Sequence, residues 1–404
     1  MKIFIFYIYS AIILYCILIG TETWFTWNTR GQGLTLIMAF AVVLVHFAIP
    51  KMFSFKLGKL VKWAFVILFI VLYSTKTDGS GLQLLLRAYL VLSVFCLQNE
   101  YQIKLFRIIQ RSVAILLVPS LILHYILLVN PLPPFGGIIE HPASINYIYG
   151  NYIFLIKNDI MYPDRFCGFT LEPGYIGSFC AFMLYADKFR MRKIENIVLL
   201  VSVISSLSLA GYLLTTMGFF MCKVSNVRII FKRLLQIGCL VAIAYFIAQK
   251  YNDGDNYINE KIFDRLQIDE KKGIKGNNRV SDDVNVYYGQ FLRSDNLLFG
   301  YSDVQMQKLR NSLEVWNSAG YKTFLMSYGL VRLLLILTFY YMIARFSNNK
   351  YYSMGFFIMI FIYFLATGYV FSLMWLMVYT LGIKLNSSKK LKNIECENIE
   401  KTYT

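Results

Sequence analysis

Lys2-Ile-Phe-Ile-Phe-Tyr-Ile-Tyr-Ser-Ala-Ile-Ile-Leu-Tyr-Cys-Ile-Leu-Ile-Gly20 opens the chain with one charge followed by a long run that carries none. At about 1.5 Å per residue, a helix of this length nearly matches a hydrocarbon core of roughly 30 Å. Its start looks like a signal peptide, but the apolar run is too long and no small-residue cleavage site follows, so it reads as a retained first span. Further apolar blocks follow at 33–49, 60–73, 82–97, 113–129, 171–186, 194–208, 211–222, 232–249, 321–343, 353–366 and 368–383. The pairs meeting around Ser208 to Tyr212 and around Thr367 and Gly368 have very short turns. Each of these pairs is either two spans or one long or re-entrant helix. The expected fold is all-α, a polytopic membrane protein of about 10–12 transmembrane helices.

Composition agrees. Of 404 residues, 57% are hydrophobic, 17% aromatic and only 16% charged. A soluble domain usually carries about 25% charge, so too few charges remain here to clothe a water-soluble globule. The net charge of +17 does not point to nucleic acid, because the basic residues fall in short clusters between apolar blocks rather than on one face. Seven scattered cysteines give neither a disulfide framework nor a CxxC metal pair.

Basic clusters also orient the chain, since short loops rich in Lys and Arg stay in the cytoplasm. With the N-terminus inside, inner loops carry Lys51, Lys56, Lys59 and Lys62, then Lys104, Arg107 and Arg111, then Lys188, Arg190, Arg192 and Lys193. Later inner loops carry Lys223, Arg228, Lys232 and Arg233, then Arg345 and Lys350. Both termini are expected on the cytoplasmic side of the membrane. The chain divides into spans one to five over 1–129, an outer loop over 130–170 and spans six to nine over 171–249. A large outer loop domain over 250–320, spans ten to twelve over 321–383 and a tail over 384–404 complete it. Both outer loops exceed ordinary connection lengths, which marks them as functional. Alternating residues around Gly150 and Asn151, from Ile145 to Ile156, predict a short hairpin in the first.

The chemistry concentrates in Arg165-Phe-Cys-Gly168-Phe-Thr-Leu-Glu172-Pro173-Gly174-Tyr175-Ile-Gly177, which brings an arginine and a glutamate to the outer mouth of a span. Pro173 suits a first helical position, placing Glu172 near the cap, where backbone N–H groups favour a carboxylate. Glu172 as a mere cap, with Arg165 as its partner or a headgroup anchor, is the plain alternative. Against it, Gly168, Gly174 and Gly177 permit close approach of a ligand or helix, and charges at membrane depth are functional by default.

This segment resembles the signature of the O-antigen polymerase (Wzy-type) family: an Arg, a Gly three residues on, then Glu-Pro and small residues at the start of a span. Ser208-Leu-Ala-Gly211-Tyr212 is similar to the family's Ser-x-x-Gly element, with Leu209 where a basic residue often stands. Asn278-Arg279 followed by Leu298-Phe-Gly300-Tyr301 resembles its Arg and Leu/Phe-Gly-x-Gly run, with Ser302 in place of the last Gly. The resemblance implies a GT-C-like enzyme that joins undecaprenyl-diphosphate-linked oligosaccharide repeat units on the outer face of the membrane. It implies membrane lipids as surroundings, a chain-length regulator and a flippase as partners, and neither nucleic acid nor cofactor.

Such a transfer needs a cation on the diphosphate leaving group, and guanidinium supplies bidentate hydrogen bonds without a metal. Arg165 and Arg279 are the expected catalytic cations, with Glu172 as base or orienting acceptor for the attacking hydroxyl. Arg293, Arg87, Gly168, Gly174 and Tyr175 are expected to bind substrate. Arg87 lies within a span and either snorkels outward or points into the bundle. Asp253-Gly-Asp255 reads as a turn rather than a metal pair, and Asp282-Asp283 as a helix start. Of His46, His124 and His141, only the last is expected outside. O-antigen ligases typically place a histidine in the late outer loop, and 250–320 has none. A ligase or other lipid-linked glycan transferase is the first alternative. A transporter or flippase is the second, disfavoured because no halved symmetry is evident.

Overall fold

The computed structural model describes residues 2–29, 32–53, 81–142, 147–222, 227–256, 259, 268–269, 273–274, 282–312, 320–366 and 373–387. It is mostly helical. The described helices are α1 (Lys2–Gly20), α2 (Gln32–Ala48), α3 (Gly81–Cys96), α4 (Asn99–Val129), α5 (Pro173–Ala186), α6 (Ile194–Ser205) and α7 (Leu209–Met221). They continue with α8 (Val227–Lys250), α9 (Asp282–Leu292), α10 (Asp303–Asn311), α11 (Gly320–Arg345), α12 (Lys350–Ala366) and α13 (Leu373–Ser387). Three of them, α1, α4 and α11, are long and apolar enough to cross a membrane. Every apolar block read from the sequence falls on a helix except 60–73 and the start of 368–383 with the turn at Thr367 and Gly368, which lie outside the described residues.

Helix α5 is the centre of the bundle. All of its residues but Gly174 are buried, a helix apolar on every side and therefore packed on every side. Backbones approach closely where side chains vanish: a Cβ on Gly211 of α7 would lie 3.1 Å from the Gly177 backbone of α5. Farther along, Tyr185 of α5 and Tyr352 of α12 stack at 4.6 Å and 6°. Each hydroxyl donates to the other's carbonyl, at 2.8 and 2.7 Å.

The contacts of α4 fix the two ends of the bundle. Gln110 near its start donates to Asp187 at 3.2 Å, while Tyr125 shares a hydrogen bond of 2.8 Å with Ser205. These contacts are 15 residues apart on the helix, or roughly 22 Å. Asp187 therefore marks one end and Ser205 the other. Between them α5 and α7 run the same way, Gly177 facing Gly211 and Tyr185 facing Gly218, with α6 returning. The pair around Ser208 is thus two separate helices, split at Ser206 to Ser208, where Leu207 takes a positive φ of 46°.

Three expectations need correction. The span read at 113–129 belongs to a helix that begins at Asn99 and continues through Pro119, because Arg107 on its early face is neutralised by Asp187 at 2.7 Å. The hairpin centred on Gly150 and Asn151 turns later: both residues lie in β2 (Ile148–Asn151), which pairs with β1 (Ile138–Glu140) and β3 (Ile156–Lys157). Asn151 Oδ1 accepts from the Ile153 amide at 2.8 Å and starts the turn itself. The span read at 321–343 is interrupted, as Gly329 has φ 77° and ψ 172° inside α11.

In the later connection, residues 268–269 and 273–274 pair as β4 and β5. Helix α9 begins at Asp282, as read, and Tyr251–Gly254 is a 3-10 turn closed by the Asp255 amide donating to Asn252 at 2.9 Å. Val284, Phe291 and Met306 pack with Leu325 and Met326 of α11, fastening this connection to the bundle.

Candidate functional site

The segment from Arg165 to Glu172 is held on three sides at the Ser205 end. The Phe166 amide donates to Ser205 at 3.1 Å, and Gly168 accepts from the Ile156 amide of β3 at 2.8 Å. Trp24 and Leu171 amides donate to Phe169 and Glu22, both at 3.0 Å, making a bridge between Thr23 and Thr170. The turn after α1 is thereby stitched to the strand leading into α5. Gly168, with φ +59°, makes the corner inside this stitching.

Glu172 occupies the N-cap position of α5 with Pro173 first in the helix, yet its side chain makes no capping hydrogen bond. Its Oε1 instead accepts from the Tyr147 hydroxyl at 3.3 Å. The residue stands at the cap as read, but without a capping hydrogen bond, and its carboxylate is turned to Tyr147. Beside it Gly174 is half-buried, with no atom within 4 Å of where a Cβ would stand. Tyr175 is buried in a small core with Trp27, Tyr149, Ile156, Cys167 and Leu171. It props the mouth from within.

Arg165 is half-buried. Its Nε and Nη2 donate to the carbonyls of Ser206 and Leu207 at 3.2 and 3.1 Å, at the C-terminal end of α6. A cation is stabilised there by the helix dipole and the open carbonyls. Its guanidinium also lies 5.8 Å from the Tyr162 ring. Burial, with Glu172 nearby, raises the Tyr162 phenol well above its ordinary value, and it stays a neutral donor.

Four side chains that sequence reading did not select join this place. His141 Nε2 lies 3.8 Å from Glu22 Oε2, and its ring meets Trp27 edge-on at 4.8 Å. Tyr147 stands 6.3 Å from His141, ring to ring, and donates to Glu172. Two carboxylates, an imidazole and phenols thus converge at the head of α5, flanked by indole. Such a group can orient sugar hydroxyls and accept a proton. Among the described residues, no group of three or more His, Cys, Asp and Glu side chains has metal-binding placement.

The remaining sequence candidates lie apart. Arg293 is exposed at the turn after α9. Arg87 is in α3 but its side chain lies outside the described residues, as does Arg279 entirely. His124 of α4 is buried, its ring 5.3 Å from Phe166. Leu298 to Tyr301 do not reach the mouth of α5 but enter the break in α11, where Tyr301 donates to Met326 at 2.7 Å.

Comparison of the chain with protein-family models, with curated proteins and with solved structures finds no match.

Proposed function

We propose that the chain is a polytopic, GT-C-like membrane glycosyltransferase that polymerises undecaprenyl-diphosphate-linked oligosaccharide repeat units into a surface polysaccharide. The observation that carries this reading is the uncapped Glu172 carboxylate at the head of the most buried helix, at the same end of the bundle as the Arg165 guanidinium. A glycan transfer needs both: an acceptor for the proton of the attacking hydroxyl and a cation for the departing diphosphate. In this reading Arg165 holds the diphosphate, Glu172 takes the proton, and Tyr147 aims the carboxylate. Nothing in these steps requires a cofactor.

The basic residues around Asp187 lie at the opposite end, which by the positive-inside rule is cytoplasmic. The mouth of α5 then faces outward in a bacterial inner membrane, where a translocated lipid-linked repeat unit presents its sugars.

Two measurements test this. Arg165→Ala and Glu172→Gln proteins that insert normally should leave cells lacking the native copy with single repeat units and no polymer. Full polymer length in either would remove the site assignment. Purified protein in liposomes should lengthen a lipid-linked glycan; translocation without lengthening would make it a flippase. One observation favours a second reading, transfer of a finished glycan to another acceptor: His141 beside Glu22 puts an imidazole at the mouth. A single transfer with no repeat ladder in the liposome assay would identify that ligase chemistry.

A further inference from the structure

The turn between β2 and β3 holds a residue in a conformation its type avoids. Ile153 has a positive φ of 68°, where a β-branched side chain is strained and glycine or asparagine is usual. Strain kept at a surface position points to a use for the side chain itself. Ile153 is 53% exposed and Phe154 beside it 42%. Two large apolar groups thus stand at the tip of the first outer loop, outside any helix.

The backbone of this tip is closed on itself. The Tyr152 and Phe154 amides donate to the carbonyls of Leu155 and Tyr152 at 2.8 and 2.9 Å. The Ile153 amide donates to Asn151 Oδ1 at 2.8 Å, and the Ile153 carbonyl accepts from the Trp24 indole at 3.2 Å. Backbone satisfied in this way can leave water without baring a donor. Charge is also sparse: between Asn130 and Ile156 the one formal charge is Glu140, where a soluble stretch of that length carries about seven.

Two ties fix where the tip sits. Trp24 stands just past the end of α1, and Tyr152 donates its hydroxyl to Leu132, just past the end of α4, at 2.9 Å. Val118, Ile122, Ile126 and Val129 form an exposed apolar stripe on α4, and exposed Leu132 and Phe135 prolong it beyond the helix. The Phe135 ring meets Tyr152 edge-on at 5.5 Å, which carries the stripe to the tip. The tip is therefore continuous with the outward face of a helix long and apolar enough to cross a membrane.

We infer that the β2–β3 turn is a membrane anchor: Ile153 and Phe154 enter the boundary between headgroups and acyl chains in the leaflet at the mouth of α5, with Trp24 and Tyr152 at headgroup level. Indole and phenol suit that level, being apolar in body and polar at one end. The partner is the lipid surface itself. Through β2 the anchor bears on the site, because Tyr149, in the strand leading to the turn, packs with Tyr175 and donates to Leu171 at 2.7 Å, beside Glu172. The inference rests on α4 crossing the membrane and not on the chemistry proposed above.

The test uses the full chain, cysteine-free except at one position, labelled with an environment-sensitive fluorophore in nanodiscs holding one copy each. Dibrominated phosphatidylcholine is the lipid probe. A label at Phe154→Cys should shift to shorter wavelength and be quenched by the brominated lipid, and a label at Asp295→Cys should do neither. Ile153→Asn suits the positive φ and removes the apolar side chain. It should leave the melting temperature unlowered and shift the label at 154 from lipid toward water by roughly tenfold or more, the partition of one aliphatic side chain. Ile153→Val should retain most of the quenching. Equal emission and quenching at the two positions would overturn the inference, as would quenching that Ile153→Asn leaves unchanged. A label at 154 shielded from water but not quenched, or shielded only with two copies per disc, would assign the turn to a protein contact and overturn it too. Quenching at 154 in a protein that fails to lengthen a lipid-linked glycan would remove the proposed function alone.

Discussion

At the residue scale the carboxylates of Asp187 and Glu172 stand in environments that differ in kind. Asp187 has no exposed side-chain surface and meets Arg107 at 2.7 Å, Lys193 at 3.1 Å and Arg190 at 3.7 Å, with Asn196 donating at 3.0 Å. Burial alone would raise its pKa, but Arg107 and Lys193 prevail and hold it below its ordinary value. A depressed carboxylate contributes stability above its unfolded value near 3.8 and loses it as pH falls through the folded one. Asp187→Asn should therefore destabilise the protein at neutral pH, by about 1–3 kcal/mol since its cations are partly solvated, with a smaller difference from wild type below about pH 4. Equal melting temperatures at pH 7 would refute this. Glu172 makes no such network, and its described side-chain partner is Tyr147. Tyr147→Phe should slow elongation roughly tenfold, and add nothing in a Glu172→Gln background, because the hydroxyl acts through that carboxylate. Additive losses would show that Tyr147 acts elsewhere. Glu172 and Arg165 were legible because they share thirteen residues of sequence with Pro173 and three glycines. Glu22, Trp27 and His141 were not, since only the bridge between Thr23 and Thr170 brings the end of α1 against the strand before α5.

At the element scale apolar periodicity was nearly sufficient. Blocks of uncharged residues can satisfy their backbones in lipid only as helices, so their positions follow from composition. What failed were features set by partners. Helix α4 starts early because Asp187, nearly 80 residues away, neutralises Arg107 on its face, and no local pattern announces that. The break in α11 follows from Leu298 to Tyr301 entering at Gly329, and an isolated glycine in an apolar run looks the same whether or not a loop replaces its hydrogen bonds. The small-residue contact between α5 and α7 was likewise written in the sequence, as Gly177 and Gly211, without naming its partner. Gly211→Val should push α7 from the Gly177 backbone and destabilise the bundle by about 1–3 kcal/mol, read as a lower melting temperature in detergent. Unchanged melting would mean the two backbones can separate at no cost.

At the scale of the whole molecule, charge and aromatic chemistry are sorted along the bundle axis. Arg107, Arg190 and Lys193 gather at the start of α4, and Trp27, His141, Tyr147 and Glu172 gather beyond its far end. From Arg107 to Val129, the last residue of α4, is roughly 33 Å, about the thickness of a hydrocarbon core, so the two groups sit at opposite ends of the bundle. Lys and Arg are retained on the cytoplasmic side during insertion, so the direction of this sorting is a statement about topology. Single cysteines placed at Arg192 and at Asp295 in an otherwise cysteine-free chain should then differ in whole cells. A membrane-impermeant maleimide should label position 295 and spare position 192, and permeabilisation should expose both. The opposite pattern would turn the mouth of α5 toward the cytoplasm. Glu172 and Arg165 would then meet substrates before translocation, and a polymerase acting on outward-facing repeat units would no longer be tenable, even if every contact at the site were unchanged.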